Sequence, residues 1–311
     1  MNYRISEEFH DRTLLSFLRS GLSLSRAQIT ALKNREDGIV LNGTRVTVRA
    51  LLKTGDLLSL GCEDAVSSDS ILPIPLPLDI LYEDDDLIAL NKPAGMPTHP
   101  SHRHHEDTLA NGVAYLFKSR KTPFVFRAVN RLDRDTSGIV LVAKTKTAAF
   151  RLSKSLQDGQ FVKRYLTAVY GCPSENGTID RPIRRKGASI VEREVCPLGE
   201  GQPAETHYRI LHKGPSVSWL LVTPVTGRTH QIRVHLSSLG HSLVGDTLYG
   251  SKEDLLLPRQ ALHALTLTFP HPTTDRPLTL FAPPPSDLLA LADKTGFPLT
   301  DYLQTDGLWK N

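Results

Sequence analysis

The sequence predicts an α+β protein, a large domain on a mainly antiparallel mixed β-sheet with flanking helices, preceded by a small α/β unit. Three observations lead there. Downstream of residue 79 the apolar runs ILYEDDDLIALNKP, GIVLVAK, KRYLTAVYG, SWLLVTPV and HALTLTFPHP recur at irregular intervals, each bounded by turn residues, as strands are. Helical patterns there are fewer, near Thr108 to Leu116 and Thr147 to Gln157, with no repeated β-helix-β rhythm, which argues against a doubly wound parallel sheet. Between Cys62 and Asp79 acidic and Ser residues give way to ILPIPLPLD, which can continue neither a helix nor an inner strand. This linker sets expected domains of 1–70 and 71–311.

The elements of the first unit follow from local chemistry. Asp11 can cap a helix whose Leu14, Leu15, Leu18 and Leu22 recur at helical spacing, ending near Gly21. Ser25 and Gln28 form a capping box ahead of Ile29 and Leu32. The alternating runs GIVLNGTRVTV and LLKTGDLLSL then read as short strands. Arg19, Arg26, Lys33, Arg35, Arg45 and Arg49 make this a basic module. Residues 12–61 resemble the small RNA-binding domain first described in ribosomal small-subunit protein S-four. The resemblance implies that SRAQITALKNREDGIVLNG meets RNA phosphates through Arg26, Lys33 and Arg35. A small packing or oligomerisation domain is the alternative.

A chain of 311 residues can bury a substantial core without staples. Its three cysteines, Cys62, Cys172 and Cys196, are too far apart for a thiolate metal site and odd in number for a disulfide framework. The N-terminal MNYRISEEFHDRTLL lacks the basic start and apolar run of a secretory signal, and no segment approaches the roughly 20 apolar residues of a membrane span. A cytoplasmic, monomeric protein with no membrane partner is expected. Net charge is only +4, yet between Phe117 and Arg164 twelve basic residues face three acidic ones. Such a field suits a polyphosphate ligand, or is merely a solvated face.

The chemistry concentrates in NRLDRDTSGIVLVAK, residues 130–144. The run Gly138 to Ala143 reads as a buried strand, so the polar loop Arg131 to Ser137 is held at a strand mouth, where catalytic groups tend to sit. Acids alternating with arginines suggest that each carboxylate is kept ionised by a neighbouring guanidinium. From the residues alone, Asp133 and Asp135 could equally cap the turn with Thr136 and Ser137.

RLDRDTSG ahead of an apolar strand resembles the motif of the RluA-type pseudouridine synthases. KRYLTAVYG, TGRTHQIRVHLSSLGHSLVGDTLYG, NKPAGMPTHPS and LHALTLTFPHP resemble the same family in order, and the likeness spans residues 79–285. The resemblance implies the pseudouridine synthase fold and an isomerase of uridine in RNA, with no cofactor and no metal. It implies that Asp133 is the catalytic carboxylate, Arg233 its cationic partner, Tyr165 an aromatic face for the uracil and Ile232 an apolar wall. Arg131 would fill the space left by the extruded nucleotide, its alternative being a phosphate or Asp135 contact, and Arg134 would face RNA. Ribosomal RNA is the favoured partner by analogy, with transfer RNA second. The chain departs from the family in Asn130, where a His is usual, which puts local hydrogen bonding in question but not the nucleophile.

Rival signals are weaker. His99, His102, His104 and His105 invite a metal reading, but no Cys supports them. His230 and His235 flank Arg233 at strand-like spacing and read as packing or hydrogen-bonding residues. An aspartyl-phosphate phosphotransferase needs Thr four residues after its Asp, where this chain has Ser137, and an apolar strand before the Asp rather than after it. A noncatalytic RNA-binding or ribosome-assembly protein on a degenerate enzyme fold is the remaining alternative.

Overall fold

A computed structural model describes residues 2–22, 26–33, 38–60, 71–101, 103–189, 191–250 and 256–305. The chain divides into two compact units, residues 1–65 and 66–311.

In the first unit, β1 (Asn2–Arg4), β2 (Ile39–Leu41), β3 (Thr44–Arg45) and β4 (Leu57–Leu60) form an antiparallel sheet in the order β1-β4-β2-β3. The first helix starts later than expected. Asp11 adopts a left-handed backbone, φ 56°, which no N-cap uses, and the Thr13 hydroxyl accepts the Ser16 N–H instead. The turn α1 (Leu14–Ser16) widens into a π-turn over Phe17–Gly21, with Leu14, Leu18 and Leu22 buried. The helix α2 (Arg26–Lys33) follows with Ile29 buried, while Ser25 and its capping box lie outside the described residues. Asn42 and Gly43, both at positive φ, turn β2 into β3. The Asn42 amide donates to the Asp56 carboxylate at 2.8 Å and its carbonyl accepts the Leu57 N–H at 2.8 Å. The separated sequence signals LNG and GD are thus one hydrogen-bonded corner.

The second unit contains β5 (Ile80–Glu83), β6 (Leu87–Lys92), α3 (Leu109–Ser119), β7 (Ser137–Ala143), α4 (Lys146–Gln157), β8 (Val162–Tyr170), β9 (Gly177–Asp180), the hairpin β10 (Ile183–Arg185) and β11 (Arg193–Val195), β12 (Glu205–Lys213), β13 (Val217–Pro224), α5 (Gln231–Ser238), β14 (Leu262–Pro270), β15 (Pro277–Phe281), α6 (Ser286–Lys294) and α7 (Leu299–Thr305). Among the described residues nine strands form one mixed sheet in the order β5-β6-β7-β14-β8-β13-β12-β9, with β15 also on β14. Every pairing is antiparallel except β7 with β14. The α+β class and the mainly antiparallel mixed sheet therefore stand.

The strand β7 is buried along its whole length because both faces are covered. Ile139, Leu141 and Ala143 pack with Ala148 and Leu152 of α4, whereas Val140 and Val142 pack with Leu109, Val113 and Phe117 of α3. That is the two-residue alternation of a strand inside a two-faced core. Thr108 and Asn111 make a capping box that starts α3. At Gly138, φ +109°, a Cβ would stand 2.3 Å from the Ala264 carbonyl oxygen, so glycine allows β14 to run directly alongside. The segment GRTHQIRVH, read as strand-like, is instead the entry to α5, and residues 231–236 are buried on all sides. With every face covered, no amphipathic stripe is visible in the sequence.

Candidate active site

The loop at the mouth of β7 is held from several sides. Asn130 donates to the Ile139 carbonyl at 2.9 Å and accepts the Leu141 N–H at 2.8 Å, so its amide continues the β7 ladder. Thr98 brackets the buried Leu132 by donating to its carbonyl at 3.2 Å and accepting its N–H at 3.4 Å. The Gln260 amide reaches the Thr136 hydroxyl at 3.2 Å and Arg259 reaches the Asp135 carbonyl at 3.2 Å. Beneath the turn, buried Lys92 donates to the carbonyls of Pro93, Met96 and Arg134 at 2.9, 2.7 and 2.9 Å, which ties the NKPAG turn to this loop. Burial pulls its ammonium down to about 7, against the opposing charges of Asp135 and Asp133. Three carbonyl acceptors call for three donors, which only the ammonium form supplies.

The Asp133 side chain is 28% exposed, and its cation comes from 100 residues away. Arg233, on α5, donates to Asp133 Oδ2 at 3.2 Å. The neighbouring arginine does not serve, because Arg134 closes a bidentate pair with Asp135 at 3.0 and 2.9 Å. Sequence proximity thus gives the charge partner of Asp135 but not that of Asp133. Arg233 is itself fixed by a second fork onto Asp246 at 2.7 and 2.8 Å, and it lies over the Tyr249 ring at 5.1 Å. Arg233 is 8% exposed and Asp246 0%, so this is a buried ion pair whose remaining acceptor capacity meets the N–H groups of Leu248 and Tyr249.

His230 caps α5 from a left-handed backbone, φ 58°, with Nε2 3.8 Å from Asp133 Oδ2 and Nδ1 2.8 Å from the Tyr249 hydroxyl. The Tyr249 hydroxyl also accepts the Arg193 backbone N–H and can donate to Nδ1; that arrangement leaves the imidazole proton on Nε2, toward Asp133. Burial and Arg233 lower the His230 pKa while Asp133 opposes them. Tyr165 is pushed up by burial and by the Asp133 charge, so its phenol stays protonated.

Asp133, Tyr165, Arg233, Arg131 and Ile232 all line one cavity of about 330 Å³. Its walls come from the β7 loop, β8 and the β13–α5 connection, elements far apart in the chain. Of the remaining expected residues, Arg134 is exposed and outside the cavity, and Lys33 is exposed on α2 of the first unit. Arg26 begins α2, and Arg35 lies outside the described residues. Among the described residues no group of His, Cys, Asp and Glu is arranged to hold a metal; His104 pairs with Asp107 at 2.6 Å and His99 meets Phe126 edge-on. His235 hydrogen-bonds Thr206 and the Arg181 carbonyl.

Residues 86–238 match the family model described as RNA pseudouridylate synthase. The chain is 40% identical over 271 residues to a Bacillus subtilis protein named uncharacterized RNA pseudouridine synthase YjbO, covering 87% of this chain and 95% of the relative. The chain belongs to the RNA pseudouridine synthases. Its type is RluA: it is 38% identical over 231 residues to the ribosomal large subunit pseudouridine synthase D of Zymomonas mobilis, covering 70% of this chain and 73% of that one. Among solved structures it resembles human RNA pseudouridylate synthase domain containing 1, with TM-score 0.56, 31% identity and coverage of 67% and 84%. The synthase therefore converts uridine to pseudouridine. No described helix is long and apolar enough to cross a membrane.

The residues that hold the arginine lie past the matched segment. Asp246 and Tyr249 were within the quoted run HSLVGDTLYG but carried no motif logic of their own. A carboxylate in a Gly-Asp turn shortly after an expected catalytic arginine is the signal that could have raised Asp246.

Proposed function

We propose that this synthase isomerises specific uridines in structured ribosomal RNA, with transfer RNA as the second candidate, and that Asp133 is its catalytic carboxylate. The observation that carries the reading is the Asp133–Arg233 pair, one carboxylate facing a cavity and aimed by a buried, doubly anchored guanidinium. Relatives named for the ribosomal large subunit support the choice of RNA.

The reaction breaks the bond from ribose C1′ to uracil N1, turns the base and joins C1′ to C5; the C5 proton leaves and N1 gains one. An ionised carboxylate can attack C1′, or remove the ribose 2′ proton on a glycal route, and both begin from the same charged group. Arg233 pairs with Asp133 at 3.2 Å and aims it. Tyr165 and Ile232 offer the uracil an aromatic face and an apolar wall. The nucleotide must first leave its stack, at a cost of a few kcal/mol, and Arg131 at the cavity rim fills the vacated place. Lys33, Arg26 and Arg35 of the first unit, with Arg134, hold phosphates, and the enzyme acts as a cytoplasmic monomer without cofactor.

The test is Asp133→Asn, with pseudouridines mapped by carbodiimide and primer extension in ribosomal and transfer RNA from cells carrying either form or neither. One or more sites should vanish with the deletion, return with wild type and stay absent with the variant, while the purified variant still binds RNA. Conversion retained by the variant would remove Asp133 from the chemistry. Unchanged sites in the deletion strain would favour the noncatalytic RNA-binding reading.

A further inference from the structure

The cavity holds a cation that the reading above does not use. Lys163 lies on β8 two residues before Tyr165, so both side chains leave the same face of the strand, roughly 6.5 Å apart along it. Both line the cavity. Gly227 of the β13–α5 loop would place a Cβ 3.9 Å from the Lys163 Nζ, and the apolar Leu156 of α4 also lines the cavity.

Among the described residues no carboxylate pairs with it. Of those lining the cavity the single acidic one is Asp133, which is engaged by Arg233. Among the described residues the Lys163 ammonium makes no ion pair and no hydrogen bond, whereas that of Lys92, also drawn out of water, satisfies itself on three carbonyls. Burial alone lowers the Lys163 pKa, with no neighbouring charge contributing. A largely desolvated ammonium without a counter-charge is unfavourable, and a bound anion would remove that penalty.

The facing loop is built to stay in place. The Gln231 side chain accepts the Thr226 hydroxyl and the Arg228 N–H at 2.6 and 2.9 Å, and donates to the Glu205 carbonyl and Thr206 hydroxyl at 2.9 Å each. Arg228 is pinned through Nε to the Pro203 carbonyl at 2.9 Å and also lines the cavity. Lys163 and Arg228, the residue after Gly227, thus both line the cavity.

We propose that Lys163, with Arg228 of the β13–α5 loop, forms a phosphate subsite that grips the backbone phosphodiester next to the extruded uridine. The inference rests on the proposed function and deepens it. With the uracil on Tyr165 and the ribose on Asp133, the adjoining phosphate is the anionic part of the nucleotide left to place, and a lysine meets it as a point charge. Holding that phosphate fixes the sugar against Asp133.

The test uses a synthetic RNA stem-loop spanning a uridine mapped in the deletion experiment. It is made with normal linkages or with an uncharged methylphosphonate on the 5′ or 3′ side of that uridine. Wild type, Lys163→Met and Lys163→Arg are compared by kcat/KM. Lys163→Met should cost about 10- to 100-fold on the normal RNA, the range of one charge-assisted hydrogen bond, while Lys163→Arg recovers most of it. One methylphosphonate should cost wild type a similar factor and Lys163→Met almost nothing further. Independent, multiplying losses at both linkages would overturn the subsite, as would full activity of Lys163→Met or a lysine that answers to uracil substitution instead. Lys163→Met should melt no lower than wild type, since it removes an uncompensated cation, so misfolding would be seen separately. If wild type itself fails on the normal stem-loop, the functional reading fails and not this one.

Discussion

Replacing Arg233 by Met removes two charged hydrogen bonds from Asp246, at 2.7 and 2.8 Å, and one from Asp133 at 3.2 Å. Asp246 is 0% exposed and keeps only the N–H groups of Leu248 and Tyr249, at 3.0 and 3.2 Å. A buried carboxylate stripped of its cation costs about 3–5 kcal/mol, a large part of a typical stability of roughly 5–15 kcal/mol. Urea unfolding followed by the fluorescence of buried Trp219 reads this directly. With a slope near 3 kcal/mol/M, the midpoint should fall by roughly 1–2 M. The double variant Arg233→Met/Asp246→Leu removes both charges and should recover most of that loss, because a buried ion pair replaced by apolar groups is often neutral. It should nevertheless fail to isomerise uridine, since Asp133 has lost the cation that aims it. An Arg233→Met protein as stable as wild type, or a double variant with restored activity, would refute the reasoning.

Two further outcomes concern the scaffold. His263 is buried, accepts or donates at Ser137 through Nδ1 at 2.9 Å, and bonds the Ala282 carbonyl through Nε2 at 2.9 Å; burial pulls it down to about 4. The folded chain thus favours the neutral imidazole, so its stabilisation is complete above the unfolded value near 6.5 and is lost as pH falls toward 4, by roughly 3 kcal/mol in all. Urea midpoints measured from pH 7 to 4 should drop over that window, and His263→Gln should flatten part of the drop. Gly138→Ala should cost several kcal/mol, because φ +109° strains any side chain and the new methyl carbon would meet the Ala264 carbonyl at 2.3 Å. Soluble yield and melting temperature check it, and a wild-type melting point would mean that β7 and β14 do not approach so closely.

Much of this molecule is legible along the chain because the relevant physics is local. The runs GIVLVAK, KRYLTAVYG, SWLLVTPV and HALTLTFPHP became β7, β8, β13 and β14, since uninterrupted β-branched and apolar stretches suit a sheet covered on both faces. Local reading failed where the environment overrode the pattern. Asp11 is a good cap in composition but sits in a left-handed turn, and GRTHQIRVH alternates like a strand yet enters α5 because its surroundings bury every side.

The sequence by itself determined that a carboxylate, a tyrosine and an arginine stand in ordered motifs at positions 133, 165 and 233, and that the first of them precedes a buried strand. Only the tertiary structure decided how those charges are held. It set Arg233 3.2 Å from Asp133, anchored the arginine on Asp246, brought His230 within 3.8 Å of the carboxylate, and left Lys163 without a counter-charge among the described residues. Ion pairing depends on distance and burial after folding, and the β7 loop meets α5 across 100 residues of chain, which no local pattern encodes.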